Sequence, residues 1–170
     1  MGSIKSSKRI PLSPAISLMT ARFNEPETMA LLYLIFKASR DDEMMRTGWS
    51  EAQIDFFLGQ QFQLQHRDYT TRYKQAAFYL VEYQGEKCGR LYLDVRDTEV
   101  LVVDISLLGE FRDRGIGTSL LNWVKDEARA LELSVTLHVT VFNRCQRLYR
   151  RLGFSPVSSD GMYTLMRWRP

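Results

Sequence analysis

The stretch Glu110-Phe111-Arg112-Asp113-Arg114-Gly115-Ile116-Gly117-Thr118 stands between an apolar run and an amphipathic pattern. Upstream, residues 100–108 (VLVVDISLL) are rich in β-branched and aliphatic side chains, as in a buried strand. Downstream, Ile116, Leu120, Leu121, Val124, Ala128 and Leu131 recur at helical spacing, with Asn122, Lys125, Asp126 and Arg129 elsewhere. The two glycines therefore fall where a strand turns into a helix. There the first N–H groups of the helix lack partners and its dipole is positive, a setting that holds phosphate. Glycine lets the backbone approach an anion closely, and Arg112 and Arg114 add charge. Two nucleotide fingerprints do not fit. Leu120 stands where the third glycine of G-x-G-x-x-G belongs, and no Gly-Lys-Ser/Thr completes a P-loop.

A second motif follows. Residues 134–141 alternate as a strand does. Beyond them Cys145, Leu148, Tyr149 and Leu152 share one helix face, and Gly153 takes the C-cap place. Arg112-x-x-Gly115-x-Gly117 after a strand, then Asn143 at a strand end and Leu148-Tyr149-x-x-Leu152-Gly153-Phe154 closing a helix, resemble in order and spacing the two signatures of the GNAT acyltransferases. Two positions depart from the family pattern: Gly109 replaces a usual proline, and Cys145 a usual alanine.

The remaining pattern suits that resemblance. Residues 16–22 read as a strand, and Glu25-Pro26-Glu27 opens a helix rich in Met29, Leu31, Leu32, Leu34, Ile35 and Phe36. A polar stretch, residues 39–43, leads to Ser50, which with Gln53 makes a capping box for a second helix running towards Tyr69. Residues 76–83 and 87–96 are strands joined by a hairpin at Gln84-Gly85-Glu86. A Ser/Gly-rich loop, residues 155–161, precedes a last strand at 162–168. The fold class expected is α/β, the GNAT fold: a mixed, mostly antiparallel twisted sheet of roughly six or seven strands flanked by about four helices.

At 170 residues the chain suits one domain. Residues 1–14, Ser-rich and basic, are expected to be a flexible tail or leader, and residues 15–170 the domain. The net charge of +3 resides there: Lys5, Lys8 and Arg9 are three of 23 basic residues, leaving 20 against 20 acids. That balance disfavours a nucleic-acid face. No segment reads as a signal peptide or a membrane span, so no membrane association is expected. Cys88 and Cys145 form no staple framework or CxxC pair, His66 and His138 show no ligand spacing, and no metal is implied. A reduced, cytoplasmic setting is the plain reading.

The resemblance implies transfer of an acetyl group from acetyl-CoA to an amine, with a small-molecule amine expected first and a protein amine second. It places the backbone of Arg112, Asp113, Arg114, Gly115, Ile116, Gly117 and Thr118 on the CoA pyrophosphate, the strand edge around Ile105 and Leu107 on the pantetheine arm, and Asn143 on the facing strand. Arg144, Arg147, Arg150 and Arg151 either meet the CoA ribose phosphate or form a solvated helix face. Tyr149 is the general acid in this resemblance; as a residue it also fits a core aromatic. Asp104, the one charge inside an apolar strand, becomes a better proton acceptor if desolvated, or is a structural acid paired with an arginine. Glu99 is the other candidate base, and a water chain the third. Arg40, Asp41, Asp42, Glu43, Trp49, Phe62, Tyr69 and Tyr73 are candidates for lining the acceptor pocket. A non-catalytic acyl-CoA sensor is the alternative function, and a homodimer is a further expectation of the family.

Overall fold

The computed structural model describes residues 9–170, and what was expected of residues 1–8 lies outside them. The elements run β1 (Arg9–Pro11), β2 (Ile16–Thr20), α1 (Pro26–Ala38), α2 (Asp41–Met44), α3 (Glu51–Arg72), β3 (Ala77–Tyr83), β4 (Glu86–Val95), β5 (Glu99–Leu107), α4 (Ile116–Ala130), β6 (Ser134–Thr140), α5 (Gln146–Arg151), β7 (Ser155–Ser159) and β8 (Tyr163–Trp168). A single 3-10 turn, Gly109–Phe111, follows β5.

Local chemistry sets the helix starts. Pro26 lies in the first turn of α1 with Glu27 beside it, matching the fixed φ and the positive dipole end. Ser50 caps α3 through a full capping box with Gln53. Helix α4 buries Ile116, Leu120, Leu121, Val124 and Ala128, the stripe its spacing predicts except for Leu131, which follows the helix end and is exposed.

One eight-stranded sheet, in the order β1-β2-β3-β4-β5-β6-β8-β7, separates two cores. On one face Leu18, Val81, Leu91, Val100 and Leu137 pack with Ile116, Leu120 and Val124 of α4 and Tyr149 of α5. On the other, Leu80 and Tyr92 pack with Leu32, Ile35 and Phe36 of α1 and Leu58 and Phe62 of α3. All neighbours are antiparallel except β5 and β6, the two strands joined by α4.

The fold is the one expected, with corrections to its parts. Among the described residues there are eight strands rather than six or seven, and five helices, one of them the single-turn α2, where about four were expected. Strand β1 lies in the segment expected to be a tail: Ile10 is buried, and Arg9 bonds Glu82 at 3.0 Å. Three residues are too few to show a period. Strand β7 lies in an expected loop, exposed along its whole length and so lacking any apolar alternation. Helix α2 is a single turn in a stretch too polar to suggest one.

Two irregularities shape the centre. Tyr92 pairs with Asp104 and Leu93 with Val102, so Val103 is an extra residue bulging β5. Beyond that bulge the parallel pairing stops: β5 and β6 are matched only from Glu99 and Ser134 to Val102 and Leu137. Strand β5 continues to Leu107 and β6 to Thr140, so the sheet splits into a cleft with one edge of residues 103–107 unpaired.

Candidate active site

At the end of β5 the chain makes its 3-10 turn and enters α4. Arg112 donates its N–H to the Gly109 carbonyl at 3.1 Å, and Ser119 donates to Gly115 at 3.0 Å. Between them, the amides of residues 113–118 have no backbone acceptor among the described residues. Helix α4 also has no side-chain cap and no acid in its first turn. These are six successive backbone donors at the positive end of the α4 dipole. Gly115 sits at φ +77°, a left-handed turn that favours glycine. Gly117 is different. Its φ is ordinary, and an added Cβ would meet only a Leu148 methyl at 3.8 Å, so the fold itself does not require glycine there.

The arginines of the loop divide. Arg114 lies over the Phe111 ring at 5.5 Å. Arg112 donates through Nε to the Leu107 carbonyl at 3.1 Å and through Nη2 to the Ala38 carbonyl at 2.8 Å. Ile105 and Leu107 pack their side chains into the α4-side core, leaving backbone as what they can offer a ligand.

Across the cleft Tyr149 is buried, its ring edge-on to Phe154 at 6.1 Å. Burial raises the phenol well above its usual 10, with smaller contributions from Cys145 and Asp104. Asn143 accepts the Cys145 N–H at 2.8 Å and so shapes the turn into α5. Val141, Phe142, Asn143, Arg144, Gln146, Arg147 and Arg150 line a surface cavity of about 440 Å³ without an acid among them.

Asp104 is not a lone charge. Its carboxylate receives Arg90 Nε at 3.2 Å and Nη2 at 2.9 Å, the Tyr69 hydroxyl at 3.2 Å and the Ser106 hydroxyl at 2.7 Å. Gln65 accepts the other bond of Arg90 Nη2 at 2.9 Å. Arg90 and Asp104 side chains are only 3% and 10% exposed. Glu99 lies elsewhere, at the first residue of β5 beside Ser134, paired with Arg96 at 3.1 Å and Arg167 at 3.7 Å. It is at the opposite end of the strand from the amides of residues 113–118.

Sequence reasoning missed Arg90, Gln65 and Ser106. Arg90 sits on the strand that pairs with the one carrying Asp104, but β4 also holds Glu86, Lys87 and Asp94, so its charge did not stand out. Of the candidates for an acceptor pocket, Tyr69 joins the Asp104 network, with Tyr73 6.1 Å from its ring. Phe62 is core, Trp49 packs edge-on to Phe57, and Arg40 covers Phe36 while reaching Glu43 at 3.8 Å. Asp41 and Asp42 are exposed on α2. Among the described residues no three His, Cys, Asp or Glu side chains cluster as metal ligands, and no helix is long and apolar enough to cross a membrane.

The described residues thus form a mixed sheet split between two parallel strands, with an uncapped helix start at the mouth of the split. The model of the acetyltransferase (GNAT) family matches residues 35–154, and the chain belongs to that family. Solved structures agree in fold. The PaiA N-acetyltransferase of Thermoplasma acidophilum, in complex with coenzyme A, is 17% identical with a TM-score of 0.67, over 92% of this chain and 99% of that one. The microcin C7 self-immunity acetyltransferase MccE, with acetyl-CoA and AMP, is 14% identical with a TM-score of 0.64, over 98% and 99%. RimL, a ribosomal L7/L12 α-N-protein acetyltransferase, is 17% identical with a TM-score of 0.62, over 95% and 94%. No curated protein matches the chain significantly by sequence.

Proposed function

We propose that the protein transfers an acetyl group from acetyl-CoA to the amine of a small-molecule acceptor, both being bound together. The observation that carries this reading is the run of free amides at residues 113–118, set at the mouth of the split between β5 and β6. The unneeded glycine at 117 supports it, because the space of a missing Cβ is open to a pyrophosphate. In this reading the amides of residues 113–118 hold that pyrophosphate and the free edge of residues 103–107 pairs with the pantetheine arm. Asn143 contacts the arm from the other side, and Arg144 and Arg147 meet the ribose phosphate. Bound acetyl-CoA supplies an activated thioester.

The chain's own residues then have three tasks. Cradle and strand edge fix the donor, which replaces an encounter by a held geometry contributing several kcal/mol. Tyr149 holds its proton at Oη throughout the neutral range, since burial raises its phenol, and donates it to charge developing on the departing sulfur. Asp104 acts as a positioning residue. With four donors on its two oxygens it is engaged where it stands, and it fixes Tyr69 and Ser106 on the α3 side of the cleft. The ammonium proton leaves to water. A lysine-like amine is neutral in only about one molecule in a few thousand at pH 7, so this step sets a rising rate with pH.

A thiol-release assay over a panel of small amines and amino-terminal peptides tests the reading. Turnover of small amines above peptides is expected; peptide turnover alone moves the acceptor to a protein amine. Acetyl-CoA binding without release from any acceptor favours the sensor alternative.

A further inference from the structure

Arg112 opens the cradle, but its guanidinium joins two parts of the molecule distant in sequence. One bond reaches the Leu107 carbonyl at the end of β5, the other the carbonyl of Ala38, the last residue of α1. A terminal helix carbonyl lacks an intrahelical partner and lies at the negative dipole end, so a guanidinium is a fitting cap for it. Immediately beyond, Ser39 donates to Ile35 and Phe36, Arg40 to Lys37, Met44 to Arg40, and Met45 to Asp41. This corner joins α1 to α2, and Arg112 is its tie to the cradle. The next residue after Arg112 is Asp113, at φ +59°, where the run of free amides begins.

We propose that Arg112 is a positioning residue through which occupancy of the 113–118 cradle is transmitted to the corner between α1 and α2. The inference rests on the acetyl-CoA reading above. An anion that fixes the cradle fixes Arg112, and Arg112 in turn fixes the Ala38 carbonyl and the turn built on it. Charge alone does not give this coupling. A lysine keeps the charge but presents one nitrogen in place of a fork, and one nitrogen does not bridge carbonyls on two elements as the guanidinium does.

Hydrogen exchange of the full chain, free and with acetyl-CoA, compares wild type with Arg112→Lys and Arg112→Gln. In wild type, acetyl-CoA is expected to slow the amides of Ser39, Arg40, Met44 and Met45 by roughly tenfold, the scale of one charge-assisted hydrogen bond. In Arg112→Lys, measured at acetyl-CoA concentrations that saturate the variant, the same amides exchange faster and gain nothing on binding. Unchanged exchange at Val124 and Leu137 certifies that the variants are folded. Equal slowing in wild type and Arg112→Lys overturns the proposal, as does a wild-type corner indifferent to bound acetyl-CoA. Failure of wild type to bind acetyl-CoA overturns the donor reading and the coupling with it. Corner exchange in the free proteins then shows separately whether the tie itself exists.

Discussion

Breaking the Arg90–Asp104 pair is the sharpest perturbation the structure offers. Asp104→Asn keeps the shape but removes the charge opposite a guanidinium that is 3% exposed. Removing one partner of a buried pair typically costs about 3–5 kcal/mol, because the survivor keeps its desolvation penalty and loses its compensation. Against a usual stability of about 5–15 kcal/mol this is a large share. For a chain of this size it corresponds to a fall of roughly 10 °C in melting temperature. Replacing both residues by apolar ones, Arg90→Met with Asp104→Leu, removes both charges and is expected to restore most of the loss. A residue of about 1–2 kcal/mol remains, from the Tyr69 and Ser106 hydroxyls left without their acceptor. Urea unfolding of wild type, both singles and the double, with slopes checked for constancy, measures each term. A loss below about 1 kcal/mol in Asp104→Asn would refute the claim that the pair is a buried, coupled unit. So would a double variant no more stable than the worse single.

Other expectations concern the reaction and the titrating groups. Tyr149→Phe should bind acetyl-CoA as wild type does while turnover falls by about 10²-fold or more, the range for a lost proton donor; unchanged turnover removes Tyr149 from the chemistry. Because burial raises that phenol, no descending limb from its ionisation should appear in the rate below about pH 10. His66 packs between Phe23 and Phe62, and burial, then Arg90, lowers its pKa from 6.5. The unfolded chain therefore binds a proton first, and stability is lost as pH falls from about 6.5 through the folded value. His66→Phe should flatten the urea midpoint across that window, and an identical fall in both proteins would exclude His66 as its source. Cys145 is exposed, whereas the Cys88 thiol is buried and pushed up to about 11. Iodoacetamide should modify native protein at Cys145 alone, with acetyl-CoA slowing it; equal labelling of Cys88 would mean the sheet opens.

Most of the fold was legible where pattern is long. The α4 stripe from Ile116 to Ala128, the Ser50–Gln53 box and the hairpin at Gly85 each declare themselves through spacing or turn chemistry. The short edge strands did not, because β1 has three residues and β7 buries none, so neither leaves a period to read. At the site the strand-to-helix boundary and the left-handed Gly115 were legible because both are local signals. Asp104 was visible as a charge on an apolar strand, but its partner sits on another strand and its second neighbour, Tyr69, lies 35 residues away on a helix. Register and helix docking bring them together, and no local spacing encodes either. Arg112 shows the same limit. Its charge suggested a phosphate ligand, whereas its guanidinium holds a helix carbonyl 74 residues away in sequence.

The central claim, that the amides ahead of α4 hold the pyrophosphate of acetyl-CoA, is tested most directly by calorimetric titration of acetyl-CoA into wild type and Gly117→Glu. Free CoA and NADH serve as controls. Glycine at 117 is not required by φ or by packing, so glutamate there leaves the fold intact while placing a carboxylate at the cradle. Saturable binding of acetyl-CoA and CoA to wild type, lost in Gly117→Glu and absent for NADH, is the predicted result. Binding to neither protein, or equal binding to both, would contradict it.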